Sequence, residues 1–278
     1  MYKSTIKIAA VLIASSLLYA CGGNQEEENI ITQEEVVTEE ITIEETNELE
    51  YVFPSPLQIA ELFKRAGLTY IGDLTNSIDN VDNYNSKQDQ KLNYGIYSAD
   101  MAYCIMNNQT QESINYLSTL KKLSEKIWMT DVMGAMGLSQ RLEANVGNED
   151  SLTYIMADLQ MQMDDYLDEN EMGAAGSIIF AGAWIETMYL GVKVNENEGN
   201  EKLINRLSEQ AIILESLIGS IKQNNNDNQL SDLLTDLESI NKHFTGFNDS
   251  EEQFRLSAEA IHNLNNDITA LRTKIVGE

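Results

Sequence analysis

Asp249-Ser250-Glu251-Glu252-Gln253-Phe254-Arg255-Leu256-Ser257-Ala258-Glu259-Ala260-Ile261-His262-Asn263-Leu264-Asn265-Asn266-Asp267-Ile268-Thr269-Ala270-Leu271-Arg272-Thr273-Lys274-Ile275 decides the fold class. Phe254, Leu256, Ala258, Ile261, Leu264, Ile268, Leu271 and Ile275 recur mostly at threes and fours, the spacing that gathers apolar side chains on one face of an α-helix. The acids at its start suit the positive end of a helix macrodipole. The spacing predicts a helix over 249–276. The same reading extends upstream. Ser55-Pro56 has the form of an N-cap followed by proline at the first helical position. Leu57, Ile59, Ala60, Leu62, Phe63 and Ala66 then form a stripe that ends at Gly67. Pro54 and Pro56 are the only prolines in the chain. With leucine, methionine, alanine, glutamate and glutamine abundant and no alternating run in the body, helix is expected throughout.

Breaks at Asn107-Asn108, Gly147-Asn148, Glu171-Met172-Gly173, Glu198-Gly199 and Asn224-Asn225-Asn226 divide the body. Helices are expected near 55–66, 73–82, 86–107, 110–129, 131–146, 148–169, 173–194, 199–224, 227–245 and 249–276. The expected fold is all-α: an irregular bundle or repeat-like array of about nine or ten antiparallel helices. No repeat of about 34 residues with tetratricopeptide signatures is present.

The N-terminus gives an address. Lys3 and Lys7 precede an apolar run from Ile8 to Leu18, followed by Tyr19-Ala20-Cys21. That run is too short for a bilayer core of roughly 30 Å and reads as an export signal. Leu18-Tyr19-Ala20-Cys21 resembles a bacterial lipobox. The resemblance implies removal of residues 1–20 and lipidation of Cys21. Gly22 stands where an aspartate would mark inner-membrane retention, so the resemblance points to the outer membrane. Residues 22–50 carry eleven glutamates and no Asp, Lys or Arg. Such a run repels itself and is expected to act as an acidic tether over 21–50. Gly22-Gly23-Asn24-Gln25-Glu26-Glu27-Glu28 also resembles the surface-export signal of Bacteroidetes lipoproteins. No stretch after Cys21 reads as apolar enough to span a membrane, so the expected membrane contact is the lipid alone.

The formal charge is −27 over 278 residues. With two lysines before Cys21 and eleven glutamates in the tether, residues 51–278 retain −18. That body is of a size for a single domain. Its acidity argues against nucleic acid as a partner, which demands basic patches. Cys104 is the only cysteine beyond Cys21, so the mature body has no internal disulfide. Within Met101-Ala102-Tyr103-Cys104-Ile105-Met106 it reads as a buried thiol.

No phosphate loop, Gly-x-Ser-x-Gly or His-Glu-x-x-His occurs, and two histidines in no spaced cluster make no zinc site. No cofactor, metal or catalytic residue is therefore expected. Asp79-Asn80-Val81-Asp82-Asn83 and Asp164-Asp165-Tyr166-Leu167-Asp168-Glu169 lack the ligand alternation and central glycine of an EF-hand loop and read as solvated faces.

Two segments embed acids among apolar residues. In Leu92-Asn93-Tyr94-Gly95-Ile96-Tyr97-Ser98-Ala99-Asp100-Met101-Ala102-Tyr103, Tyr94, Tyr97 and Asp100 share a broad helix face, and Gly95, Ser98 and Ala102 form a small one. In Ala181-Gly182-Ala183-Trp184-Ile185-Glu186-Thr187-Met188-Tyr189, Glu186 sits beside Trp184, with Arg141 as a candidate counter-charge. A buried acid must be paired or hydrogen-bonded. Tyr94, Tyr97, Asp100, Tyr103, Arg141, Trp184 and Glu186 form the candidate pocket, with core packing as the structural alternative.

These segments, with the Pro-Ser-Pro start, resemble a group of uncharacterised Bacteroidetes outer-membrane or surface lipoproteins. The likeness covers most of residues 51–195 and implies address and helical fold only. The expected function is a lipid-anchored envelope protein acting as a non-enzymatic interaction module for another envelope protein. Met-rich faces near Met129, Met133 and Met136, or Met156, Met161 and Met163, are its candidate surfaces. The alternative is a small-molecule or glycan binder with an aromatic and acidic pocket. An Asp100–Glu186 carboxylate pair in an open cleft would be required for glycosidase-like work.

Overall fold

Side-chain caps start most of the helices. Ser55 accepts from the Gln58 N–H while Gln58 reaches back to the Ser55 N–H, a reciprocal capping box, and Pro56 follows. Ser86, Asn148, Asn200 and Ser257 each accept a first-turn N–H in the same way. The computed structural model of the chain describes residues 51, 53–127, 129, 137, 140–141, 144–145, 148–170, 172–225, 228–244 and 254–277. All of these fall in the compact unit Ile41–Glu278. Cys21, the tether, Met133 and Met136 lie outside the described residues, as does most of the helix expected over 131–146.

Eight α-helices are present among the described residues, and no strand. They are α1 Pro56–Arg65, α2 Lys87–Met106, α3 Thr110–Lys126, α4 Glu149–Glu169, α5 Gly173–Glu198, α6 Glu201–Asn224, α7 Ser231–Asn241 and α8 Ala258–Val276. Short 3-10 turns occupy Ile78–Asp82 and Lys242–Phe244. The all-α expectation holds. The expected nine or ten helices exceed the eight described, and two expected elements differ for physical reasons.

Residues 73–77 are not helical, because side chains from elsewhere satisfy their backbone. Asn76 N–H donates to Asp100 Oδ2, Tyr116 OH to the Asn76 carbonyl, Tyr97 OH to the Ser77 carbonyl, and Arg272 Nη2 to the Leu74 carbonyl. Those partners replace the helical ladder that residues 73–77 would otherwise need. Asp73 also takes φ +66°, outside the right-handed helical region. The last helix begins at Ala258 rather than 249. Ser257 caps it, and Leu256 is buried with its N–H donated to Ser208 Oγ of α6.

The organising contact is not a hairpin between chain neighbours. It joins α2 to α5, which among the described helices are separated in sequence by α3 and α4. Gly95 and Gly182 make it possible. A Cβ built on Gly95 would lie 1.8 Å from the Ile179 carbonyl oxygen, and one on Gly182 would lie 1.9 Å from the Leu92 carbonyl oxygen. At each of these points one helix lacks a side chain, so the backbone of the other approaches it closely. Around this seam the interior divides into two clusters. One is built mainly from α5, α6, α7 and α8, and the other from α2, α3 and α4 with one face of α1.

Helix α5 is apolar on all sides and passes through the middle. Contrary to the sequence reading, Gly173–Asn197 is long and apolar enough to cross a membrane, with mean hydropathy 1.3 in its best window. Of that window, 83% is buried inside the protein, the mark of a core helix.

Candidate functional site

The α2–α5 seam brings most of the candidate pocket residues together as solid interior. Tyr97, Trp184, Asp100 and Glu186 are completely buried, and Tyr103 nearly so. Two acids enter this core with one cation. Arg272 of α8, 2% exposed, donates from Nε to Glu186 Oε2 at 3.1 Å and lies 4.8 Å from the centre of the Tyr189 ring. The Asp100 carboxyl lies within electrostatic reach of Glu186. Burying two carboxylates beside a single guanidinium is costly, so this setting favours a proton on one of them. Burial first, and the Glu186 charge second, hold the Asp100 pKa well above the ordinary range, against the opposing pull of Arg272. One negative charge then faces one positive charge, which is the only inexpensive way to bury this trio.

Asn76 extends the network. Its Nδ2 donates to Tyr84 OH at 2.8 Å and to Asn93 Oδ1 at 3.4 Å, and Asn93 donates onward to the Ile275 carbonyl near the end of α8. The network thus ties α2, α5, α8 and the segment before the first 3-10 turn into one register. Tyr103 donates to the Thr69 carbonyl and accepts from the Ile71 N–H. Burial pushes the pKa values of Tyr94, Tyr97, Tyr103 and Cys104 upward. Cys104 is a buried free thiol, the opposite of what a nucleophile needs.

Arg141 does not join this group. It pairs with Asp158 of α4 at 2.7 Å, and the partner of Glu186 is Arg272. Nor do Asp100 and Glu186 face each other across an open cleft, as glycosidase-like chemistry would require. Among the described residues no three His, Cys, Asp or Glu side chains gather as a metal site.

A cavity of about 540 Å³ opens on the other side of α2 and α5, where the chain enters the helical body. One wall is aromatic. The Phe53 and Phe180 rings stack at 4.2 Å with planes 9° apart, and Tyr51 continues the column at 6.4 Å. Helix α4 contributes Met156, Leu159, Met163 and Leu167 to the lining. Tyr94 and Ser98 come from α2, and Ser177 and Ser220, with Oγ atoms 2.6 Å apart, line it from α5 and α6. Asp164 and Asp168, one turn apart on α4, supply the charges. Asp164 keeps solvent access, yet neighbouring side chains desolvate it enough to push its pKa up to about 6, against the hydrogen bond from Gln160.

Of the seven candidate pocket residues only Tyr94 lines this cavity. Sequence reasoning missed Phe53, Phe180, Asp164 and Asp168. Met156 and Met163, candidate surface residues by sequence, turn inward to the cavity. Arg272 was also missed, although it sits on the apolar stripe of α8 beside Leu271 and one turn from Ile268, a placement that signals a buried charge. No family model, curated protein or solved structure matches this chain.

Proposed function

We propose that the chain is a lipid-anchored, non-enzymatic binding protein of the bacterial cell envelope. Cys21 carries the lipid, residues 1–20 are its signal, the acidic residues to 50 form the tether, and the outer membrane is its site. The helical body takes a small molecule or glycan into the cavity beside Phe53, where the tether joins it. The observation that carries this reading is the cavity itself. Its volume lies within the roughly 300–1,000 Å³ of ligand sites, and it combines apolar and aromatic walls with a few polar groups. The buried acid trio supplies the rigid frame behind it.

Two measurements test the reading. Metabolic labelling with an alkyne fatty acid should mark the wild-type protein and not Cys21→Ser; equal labelling overturns the anchor. Native mass spectrometry of protein taken from its own membrane should show an adduct beyond the anchor mass. If none appears, and cell extracts do not raise the melting temperature, the binding role is lost.

A second reading, a docking face for another envelope protein, is favoured by α4. Tyr154 and Met161 are 73% and 56% exposed, seven residues apart on one helix face. In-cell crosslinking from position 154 distinguishes it: a single enriched envelope protein, lost on Tyr154→Ala, supports a docking face.

A further inference from the structure

We infer that the ligand of this cavity is an organic cation: an amine or quaternary ammonium carried on an apolar or aromatic body. The inference rests on the cavity being a binding site, and deepens that reading by fixing the sign of the charge.

Charge on the walls is the first argument. Among the described lining residues Asp164 and Asp168 are the only ionisable carboxyls, and none is Lys, Arg or His. A carboxylate or phosphate ligand would enter next to two acids with no cation to meet it, in a body whose net charge is already −18. Helix ends do not reverse this. The α1 and α5 N-termini and the α4 and α6 C-termini all reach the cavity, through Pro56, Gly173, Asp168 and Asn224. Two positive poles there oppose two negative ones. The Ser55 and Gln58 side chains occupy first-turn donors of α1, which leaves that end less able to hold an anion.

Shape and surface are the second argument. Tyr51, Phe53 and Phe180 stack face to face, which leaves only the outer faces of Tyr51 and Phe180, at the two ends of the stack, for other partners. A free outer face carries a negative quadrupole that attracts a cation, by about 0.5–2 kcal/mol for a well-placed contact, whereas ring edges offer apolar contact only. Met156 and Met163 give a polarizable wall that adapts to an irregular apolar body. A ligand with its ammonium toward Asp164 and Asp168 and its apolar part between the methionines and the rings satisfies every surface at once. The raised pKa of Asp164 fits as well: a carboxylate held in partial burial without a cation is one that gains most when a cation arrives.

The test uses three probes of one shape and three charges: tryptamine (cation), tryptophol (neutral) and indole-3-acetate (anion). The full lipidated chain is placed in phosphatidylcholine nanodiscs, with empty nanodiscs as control. Binding is followed by calorimetry and by the methyl signals of Met156 and Met163. The expected order is tryptamine over tryptophol by about tenfold, equivalent to roughly 1.4 kcal/mol, with indole-3-acetate weakest. The Asp164→Asn/Asp168→Asn double variant, at exposed positions that do not threaten folding, should abolish the tryptamine advantage and leave tryptophol unchanged. Lowering the pH from 8 to 5 should weaken tryptamine and not tryptophol, because Asp164 gains its proton in that range. Equal binding of tryptamine and tryptophol, unaffected by the double variant, overturns the cation inference and leaves the cavity a binding site. No binding by any probe, with the Met156 and Met163 signals unmoved at millimolar concentration, overturns both.

Discussion

Asp100 shows how a single residue's chemistry can be checked without knowing a ligand. Its folded pKa is raised by burial, so the folded state holds a proton that the unfolded chain releases near the ordinary carboxylate pKa. Folding is therefore favoured by this group at low pH, and that contribution is lost as pH rises from the unfolded value toward the folded one. Asp100→Asn keeps the acceptor for the Asn76 N–H and has no proton to lose. Its melting temperature relative to wild type should climb as pH increases from 4 to 9; a constant difference would mean that folding does not raise the Asp100 pKa. Arg272→Met is the opposite case, because it leaves Glu186 charged and buried without its cation. The expected loss is about 3–5 kcal/mol at neutral pH. Adding Glu186→Gln should recover part of it, read from denaturant midpoints of the single and double variants. That buried acids existed in these two segments was legible in the sequence. The partner was not, because Arg272 stands 86 positions from Glu186 and nothing local to Glu186 pointed to it.

At the scale of the element, the α2–α5 seam depends on two missing side chains. The Cβ positions at Gly95 and Gly182 fall on backbone atoms of the facing helix, so no rotamer change can relieve an added methyl. Gly95→Ala and Gly182→Ala should each destabilise by at least about 1–3 kcal/mol, the ordinary range for overpacking. That overrides the gain of up to about 1 kcal/mol from helix propensity. Gly173→Ala is the control, because a Cβ there meets nothing within 4 Å, and it should be neutral or slightly stabilising. Thermal melts of the three variants decide the matter; equal behaviour would show that the helices do not touch through their glycines. Most helices could be read from periodicity and caps, to within a few residues. The two expected elements that differ did so where partners distant in sequence take over the backbone. Residues 73–77 give up helical bonds to Asp100, Tyr97, Tyr116 and Arg272. Leu256 turns into the core through Ser208, and its two-residue spacing from Phe254 was the trace of an extended segment. The cavity was invisible for the same reason. Phe53, Phe180 and the methionines of α4 look like ordinary core residues until the fold leaves space between them.

Over the whole molecule, charge is the dominant fact that folding does not cancel. Beyond residue 50 the chain has 34 acidic and 16 basic residues, so even complete pairing leaves eighteen acids without a cation. The ion pairs present are mostly exposed, such as Arg65–Glu61, Lys222–Glu238 and Lys274–Asp236, and pairs of this kind are worth about 0–1 kcal/mol each. Self-repulsion acts over the whole surface, with a range of about 30 Å at 0.01 M salt and about 8 Å at 0.15 M. Salt therefore weakens two opposing effects, and the excess of acids decides which is larger. The melting temperature at pH 7.5 should rise between 10 mM and 150 mM NaCl, where added salt would lower it if the ion pairs dominated. For a body of this size about 1 kcal/mol corresponds to roughly 2–4 °C, so the rise is measurable by scanning calorimetry. Repeating the scan at pH 4.5, close to the sequence pI of 4.2, separates the causes. There proton uptake by part of the carboxyls brings the net charge close to zero, and the salt effect should shrink toward zero. A rise that persists unchanged at pH 4.5 would trace the stabilisation to salt acting on apolar burial rather than on charge.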